Sequence, residues 1–297
     1  MKILVSGASG LIGTNLIPPL IAKGNQVYKL VRRMPVGIDE IQWNPEENTI
    51  EDDKLEDFDV VIHLAGDNVA SENWSEEKKR KIRESRVAGT RTLVDALKRC
   101  IVPPKHFISA SATGFYGNRN SELLNEDSAA GKGFLPEVCQ EWENEALKAG
   151  NFGARVVLLR TGIVLAKDGG ALAKMLTPFK FAVGGVIGSG KQYMSWIALD
   201  DEIKAIHFIL DNENLRGAFN LTAPNAVNNA EFTRALGSVL NRPTILPIPE
   251  FAIKMLFGEM GEALLLEGAR VHPQKLLDAG FEFDYTDLES ALKHALQ

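Results

Sequence analysis

Cysteine, tyrosine, surplus positive charge and long apolar runs are all scarce in this chain of 297 residues. The two cysteines, Cys100 and Cys139, lie far apart and make neither a disulfide framework nor a zinc site. The five histidines, His63, His106, His207, His272 and His294, show no ligand spacing, so no metal is expected. No run of 18 apolar residues occurs, which argues against a helical membrane span. The net charge of -6 lacks the basic excess of a nucleic-acid binder. The opening residues MKILVSGASG enter a strand pattern at once, without the n-region and cleavage site of a leader, so a cytoplasmic protein is expected. Four tyrosines are present, Tyr28, Tyr116, Tyr193 and Tyr285, and their positions limit the chemistry argued below. Against these scarcities stand 45% hydrophobic and 24% charged residues, the balance of a globular chain with a large core.

The first half alternates short apolar runs with longer amphipathic ones. Strands are expected at 2–6, 26–32, 59–64, 105–110 and 155–160, each rich in Val, Ile and Leu. Strands buried on both faces of a parallel sheet read this way. Helices are expected between them at 11–23, 75–99 and 136–149. The alternation predicts an α/β, Rossmann-type doubly wound sheet with right-handed crossovers. Beyond residue 165, glycine and proline become frequent and shorter helices are expected at 200–210, 229–240, 250–258 and 285–296. Residues 1–165 therefore read as a nucleotide-binding lobe, with 200–225 returning to it. Residues 166–297 read mainly as a smaller substrate lobe with a C-terminal extension.

The first strand runs into Gly7-Ala8-Ser9-Gly10-Leu11-Ile12-Gly13. A tight turn, a close approach to a pyrophosphate and close helix–strand packing each call for one of the three glycines. Free N–H groups at the helix start favour phosphate. Strand, turn, helix and second strand all fall within residues 2–32, the context a dinucleotide site needs. Gly7, Ser9, Gly10, Leu11, Ile12 and Gly13 are the expected cofactor contacts. An NAD site usually carries a carboxylate at the end of the second strand. Here that strand ends on Val31, Arg32 and Arg33. Two guanidiniums suit a 2′-phosphate, so NADP is expected in preference to NAD. Two arginines at a strand end can also be merely solvated.

Further along, Asp59-Val60-Val61-Ile62-His63-Leu64-Ala65-Gly66 resembles the fourth-strand signature of the extended short-chain dehydrogenase/reductase superfamily, epimerase/dehydratase branch. The resemblance implies that Leu64, Ala65 and Gly66 lie against the cofactor, with His63 packing inside the motif. Residues 108–117, ISASATGFYG, resemble the strand that carries the active-site serine, which implies that role for Ser111. Residues 188–201 resemble a substrate-lobe segment, which implies cleft positions for Lys191, Gln192, Ser195 and Trp196. Phe219-Asn220-Leu221 resembles the strand after it. More narrowly, 134–143, 158–176, 184–201 and 247–277 resemble an atypical subgroup of epimerase family proteins with a C-terminal extension of unknown function.

Chemistry in that superfamily depends on a Tyr-x-x-x-Lys pair on one helical face. The ammonium lowers the tyrosine pKa, so the phenol exchanges a proton with substrate near neutral pH. Four residues beyond the tyrosines of this chain stand Arg32, Asn120, Ile197 and Glu289, so the pair is absent. By the resemblance, Phe134 stands near the tyrosine position and Val138 near the lysine. Arg86 precedes Val87-Ala88-Gly89-Thr90 where relatives often carry asparagine. The remaining candidates for the chemistry are Ser111, Tyr116 and Glu137, with Cys139 and Tyr193 behind them. Cys139 reads first as a small buried apolar residue. The expected function is NADP-dependent hydride transfer on a small polar substrate, by a monomer or homodimer. A non-catalytic NADP sensor is the alternative, and a nucleoside-diphosphate-sugar epimerase a third.

Overall fold

The computed structural model describes residues 1–297. Eight strands build one sheet: β1 (Lys2–Ser6), β2 (Gln26–Val31), β3 (Glu40–Asn44), β4 (Thr49–Ile50), β5 (Val60–His63), β6 (His106–Ala112), β7 (Arg155–Thr161) and β8 (Gly217–Leu221). They lie in the order β8-β7-β6-β5-β1-β2-β3-β4. Every pair is parallel except the short β4, which turns back on β3. The direction of winding reverses between β1 and β5. In such sheets the crevice outside the carboxyl ends of the strands at this point is where ligands bind.

Five helices belong to the first half of the fold or link it to the second: α1 (Leu11–Ala22), α2 (Glu76–Arg99), α3 (Phe134–Leu147), α4 (Gly170–Lys180) and α5 (Leu199–Asp211). Four follow: α6 (Asn229–Leu240), α7 (Glu250–Gly261), α8 (Gln274–Asp278) and α9 (Leu288–Ala295). Both faces of the sheet are covered. Ile3 and Val5 of β1 join Leu16 and Leu20 of α1 and Ile206 and Ile209 of α5 in one core. Leu4, from the alternate face, joins Leu93 and Leu97 of α2 and Ala146 of α3 in another. Two-sided burial is why these strands read as unbroken apolar runs. Helix α2 starts where Ser75 Oγ accepts the Lys78 N–H, with Glu76 and Glu77 in the first turn and Lys98 and Arg99 in the last. That arrangement caps the helix and complements its dipole.

The five strands expected from the apolar runs are all present, with ends moved by one or two residues. Strand β3 was not foreseen, because Glu40, Gln42 and Asn44 interrupt Ile41 and Trp43 near the sheet edge. Helix α4 was also not foreseen. It opens on Gly170 at φ +66° and contains Pro178, yet Leu172, Leu176 and Phe179 face one way at helical spacing. Those three side chains pack with Trp196, Phe232, Leu236 and Leu292 in the core of the second lobe. Leu276 and Phe281 from the C-terminal segment cross back into the core of the first lobe. No helix is long and apolar enough to cross a membrane.

Candidate functional site

Between β1 and α1 the chain is wound too tightly for side chains. Gly7 has φ +69°, and a Cβ on it would stand 2.7 Å from the carbonyl carbon of Leu64. A Cβ on Gly13 would stand 2.4 Å from the Gly7 carbonyl oxygen. Helix α1 begins on Gly10 with no side-chain cap and no acidic residue in its first turn. Its leading N–H groups are thus open to an anion, and the exposed Ser9 and Gly10 front them. Leu11 and Ile12 are half-buried, and Leu11 packs against Gly169 and Gly170 ahead of α4.

The Leu64–Ala65–Gly66 segment is fixed from below. Ser6 Oγ accepts the N–H groups of Leu64 (3.1 Å) and Ala65 (3.3 Å) and meets His63 Nδ1 at 2.6 Å. With two amides donating to it, the Ser6 hydroxyl points its proton at Nδ1. The imidazole proton then sits on Nε2, toward Thr90 Oγ1 at 2.9 Å. Burial pushes the His63 pKa down to about 4, so the ring stays neutral. His63 is a packing and hydrogen-bonding residue, as the motif implied.

The two arginines after β2 part company. Arg33 makes a two-pronged pair with Glu40 of β3, at 2.5 and 2.8 Å. That contact, with the Val36 N–H, holds the Glu40 carboxyl down to about 2. Arg32 is exposed and has neither hydrogen bond nor ion pair. A second guanidinium without a carboxylate partner lies beyond the switch point. Arg86 of α2 sits against Gly66, where a Cβ would stand 3.2 Å from its Cζ, and over the Trp142 ring at 5.2 Å. Its one hydrogen bond goes to the Ile82 carbonyl at 3.1 Å. Burial pushes its pKa down from the ordinary arginine value. Arg32 at the β2 side, the glycine turn at β1 and Arg86 at the β5 side form a line across the crevice. That line fits a dinucleotide with one cation for each half.

Past Arg86, the parallel register sets Ser111, Arg160 and Asn220 side by side on β6, β7 and β8. All three are buried. Ser111 Oγ donates to Glu143 Oε1 at 2.6 Å. Arg160 clamps the same carboxylate with Nε and Nη2, both at 2.8 Å. Its Nη1 donates to Tyr116 Oη at 3.0 Å, and that hydroxyl donates to Asn220 Oδ1 at 2.7 Å. The guanidinium also lies 3.5 Å from the centre of the Phe115 ring. Burial works against the Arg160 charge, but the Glu143 carboxylate outweighs it and raises the guanidinium pKa.

This cluster sorts the expected catalytic residues. Ser111 is buried at the carboxyl end of β6, with its hydroxyl on Glu143. Tyr116 is fully buried, its hydroxyl is used on both sides, and burial raises its pKa. It braces Arg160 and has no proton to spare for a substrate. Glu137 is exposed on α3, 3.5 Å from Arg83 and away from the cluster. Cys139 is buried, and burial pushes its thiol up to about 12, so it is no nucleophile. Phe134 turns its ring to Trp74 at 5.1 Å, and Val138 is buried. The expected substrate-lobe residues are structural instead. Gln192 binds the carbonyls of Ile187 and Leu265, Ser195 binds Ala269 and Val271, and Trp196 is wholly buried with Nε1 on the Asn225 carbonyl. Lys191 alone of that set is exposed. Glu143 was missed. Its signal was Arg160, a charge near the end of a buried strand, which has to find polar partners there.

Another carboxylate lies on the opposite face of β7. Glu202 of α5 is wholly buried and accepts from Thr161 Oγ1 at 2.8 Å, while its Oε2 has no partner. Burial pushes its pKa up to about 8. Between the ordinary carboxylate range and pH 8 the unfolded chain is ionised here and the folded chain keeps its proton. Stability should therefore fall as pH rises through that window, by up to about 1.4 kcal/mol per pH unit. Glu202→Gln is expected to flatten this decline and to be more stable than the parent at pH 8. Urea midpoints at pH 5 and pH 8 check it, and equal slopes in both proteins would count against a protonated Glu202.

The chain as a whole is similar to known proteins. A sequence profile of the NAD dependent epimerase/dehydratase family matches residues 3–222. A second profile, described as a domain of unknown function (DUF1731), matches residues 248–295. An epimerase family protein of Mycobacterium leprae is 43% identical over 99% of this chain and 95% of its own length. The crystal structure of human epimerase family protein SDR39U1 with NADPH superposes with a TM-score of 0.91 at 31% identity, over 100% of this chain and 99% of that one. A nucleoside-diphosphate sugar epimerase of Corynebacterium glutamicum superposes with a TM-score of 0.82 at 33% identity, over 100% of this chain and 58% of that one. The family profile spans most of the chain and the mycobacterial relative matches it nearly end to end, so the chain belongs to the NAD dependent epimerase/dehydratase family.

Proposed function

We propose that this chain binds NADP across the switch point and transfers hydride to or from a small polar substrate beside Ser111. The unpaired guanidinium of Arg32, at the strand end where an NAD site would carry a carboxylate, carries the reading. Arg86 supplies the matching charge on the nicotinamide side. The NADPH in the human relative supports the same cofactor here. When bound, the nicotinamide supplies or takes up the hydride. Because Ser111 gives its own proton to Glu143, it presents lone pairs to the crevice and suits a substrate hydroxyl as its donor. Water or a group on the substrate then carries the proton. Ion pairs between Lys81 and Glu77 and between Arg80 and Glu84 line the outer face of α2, which favours a monomer over a helix-paired dimer.

A second reading draws on the same cluster. The Tyr-x-x-x-Lys pair is absent, and Tyr116 and Glu143 are both fully engaged, so a non-catalytic NADP sensor also fits. A nicotinamide-dependent epimerase would need one group to take the proton from the substrate hydroxyl as hydride leaves the carbon and to return it as hydride comes back to the other face, and Tyr116 and Glu143 are both already engaged. Turnover separates the readings. Nicotinamide oxidation or reduction with fractionated metabolite pools is expected in the parent, and a fall of about 10²- to 10⁴-fold in Ser111→Ala. Tight NADPH binding with no turnover from any pool would leave the sensor standing.

A further inference from the structure

The segment matched only by a domain of unknown function has two unlike parts. Its later part is anchored. Asp201 accepts the N–H groups of Asp284 and Tyr285, at 2.8 and 3.0 Å, and Leu288 and Leu292 of α9 sit in the second-lobe core. Its first helix, α7, is held lightly, burying only Ile253, Met260 and Gly261. At its start, the Ile187–Ile248 bridge roots it in the second lobe. Near its end it reaches the first lobe. Asn73 Nδ2 donates to the Leu256 carbonyl at 2.9 Å, and Lys79 Nζ meets Glu259 Oε2 at 2.9 Å.

The place where it lands matters. Asn73 and Lys79 belong to the stretch that leaves Gly66 and enters α2. That stretch is rigid: the Asp67 N–H donates to Ser85 Oγ at 3.0 Å, buried Lys78 binds Asp67 and Ser71, and Trp74 Nε1 donates to the Val69 carbonyl at 2.7 Å. Helix α7 thus joins the second lobe to the bracket that follows the cofactor segment at the carboxyl end of β5. Between its two contacts it breaks. Gly258 has φ +54° and ψ -139°, a conformation that side chains resist, and no atom lies within 4 Å of where its Cβ would be. The two landing contacts are therefore made by the irregular tip of α7 and not by a continuous helix.

We propose that α7 is a strap that closes over the bound dinucleotide, latched by Asn73 and Lys79. This assigns to the segment of unknown function the retention of cofactor, and it rests on the reading of the crevice as a dinucleotide site. Each latch contact is weak alone, so the strap opens and shuts readily while lengthening the residence of the ligand.

Stopped-flow fluorescence of NADPH leaving the full-length protein tests the proposal. The Asn73→Ala/Lys79→Ala variant is expected to release NADPH about three- to tenfold faster than the parent, with the thermal midpoint held. The charge swap Lys79→Glu/Glu259→Lys is expected to restore slow release, where Lys79→Glu alone does not. An unchanged release rate in the double variant overturns the strap, as does a loss of stability without faster release. Failure of the parent to bind NADPH at all would instead overturn the cofactor reading on which the strap rests.

Discussion

Arg32→Ala is expected to weaken NADPH binding about 10- to 150-fold, the equivalent of one charge-assisted contact of about 1.5–3 kcal/mol. NADH binding should stay within about twofold, because the lost guanidinium meets only the 2′-phosphate. Arg33→Ala serves as the internal comparison. Its guanidinium is already spent on Glu40, so its loss should shift β3 more than cofactor choice. Titrations of both variants with NADPH and NADH, at one fixed ionic strength, read the effect directly. Equal affinity of the parent for the two cofactors, or an unchanged ratio in Arg32→Ala, would refute the assignment. Raising salt should weaken NADPH more than NADH, since an exposed cation is screened.

Glu143→Ala is expected to cost about 3–5 kcal/mol of unfolding free energy, the largest stability loss of any substitution considered. Arg160 would be left buried with a full charge and no counter-ion, since its other contacts are a phenol and a backbone carbonyl. Ser111 would lose its acceptor at the same time. The paired variant Glu143→Leu/Arg160→Met should recover much of the loss, because an apolar pair leaves no unmatched charge. Urea denaturation of the two singles and the double gives the coupling. Additive losses would show that the two charges do not depend on each other. Activity adds a separate readout: the double variant should fold while Ser111 turns its proton elsewhere, so its dependence on pH should differ from that of the parent.

Much of the cofactor half was legible in the residues. Lys2–Ser6 is apolar at its three central positions, Ile3, Leu4 and Val5, and runs into Gly7, which predicts both a two-sided strand and the turn after it. The pair Arg32 and Arg33 marked the cofactor end, but only their surroundings separated one from the other. Glu40 comes seven residues after Arg33 and reaches it because β3 pairs beside β2, a long-range fact of sheet order. The substrate half was harder to read. Gln192, Ser195 and Trp196 matched a cleft segment by type, yet each has a polar atom that needs a partner, and each finds it in nearby backbone.

From the order of residues alone followed the doubly wound sheet, the glycine cradle and the absence of the usual tyrosine and lysine. These are local properties: apolar runs, a turn that admits no Cβ, and a spacing that can be checked by inspection. The tertiary structure decided which polar groups stand together at the carboxyl ends of β6, β7 and β8. Ser111, Glu143, Arg160, Tyr116 and Asn220 come from four elements and a loop, spread over more than a hundred residues. Parallel register brings three of them into one row, and desolvation forces their charges and hydroxyls to satisfy one another. It also decided that Arg86 packs against Gly66 and that α7 reaches Asn73 and Lys79, because only packing determines which cations and which helices come together.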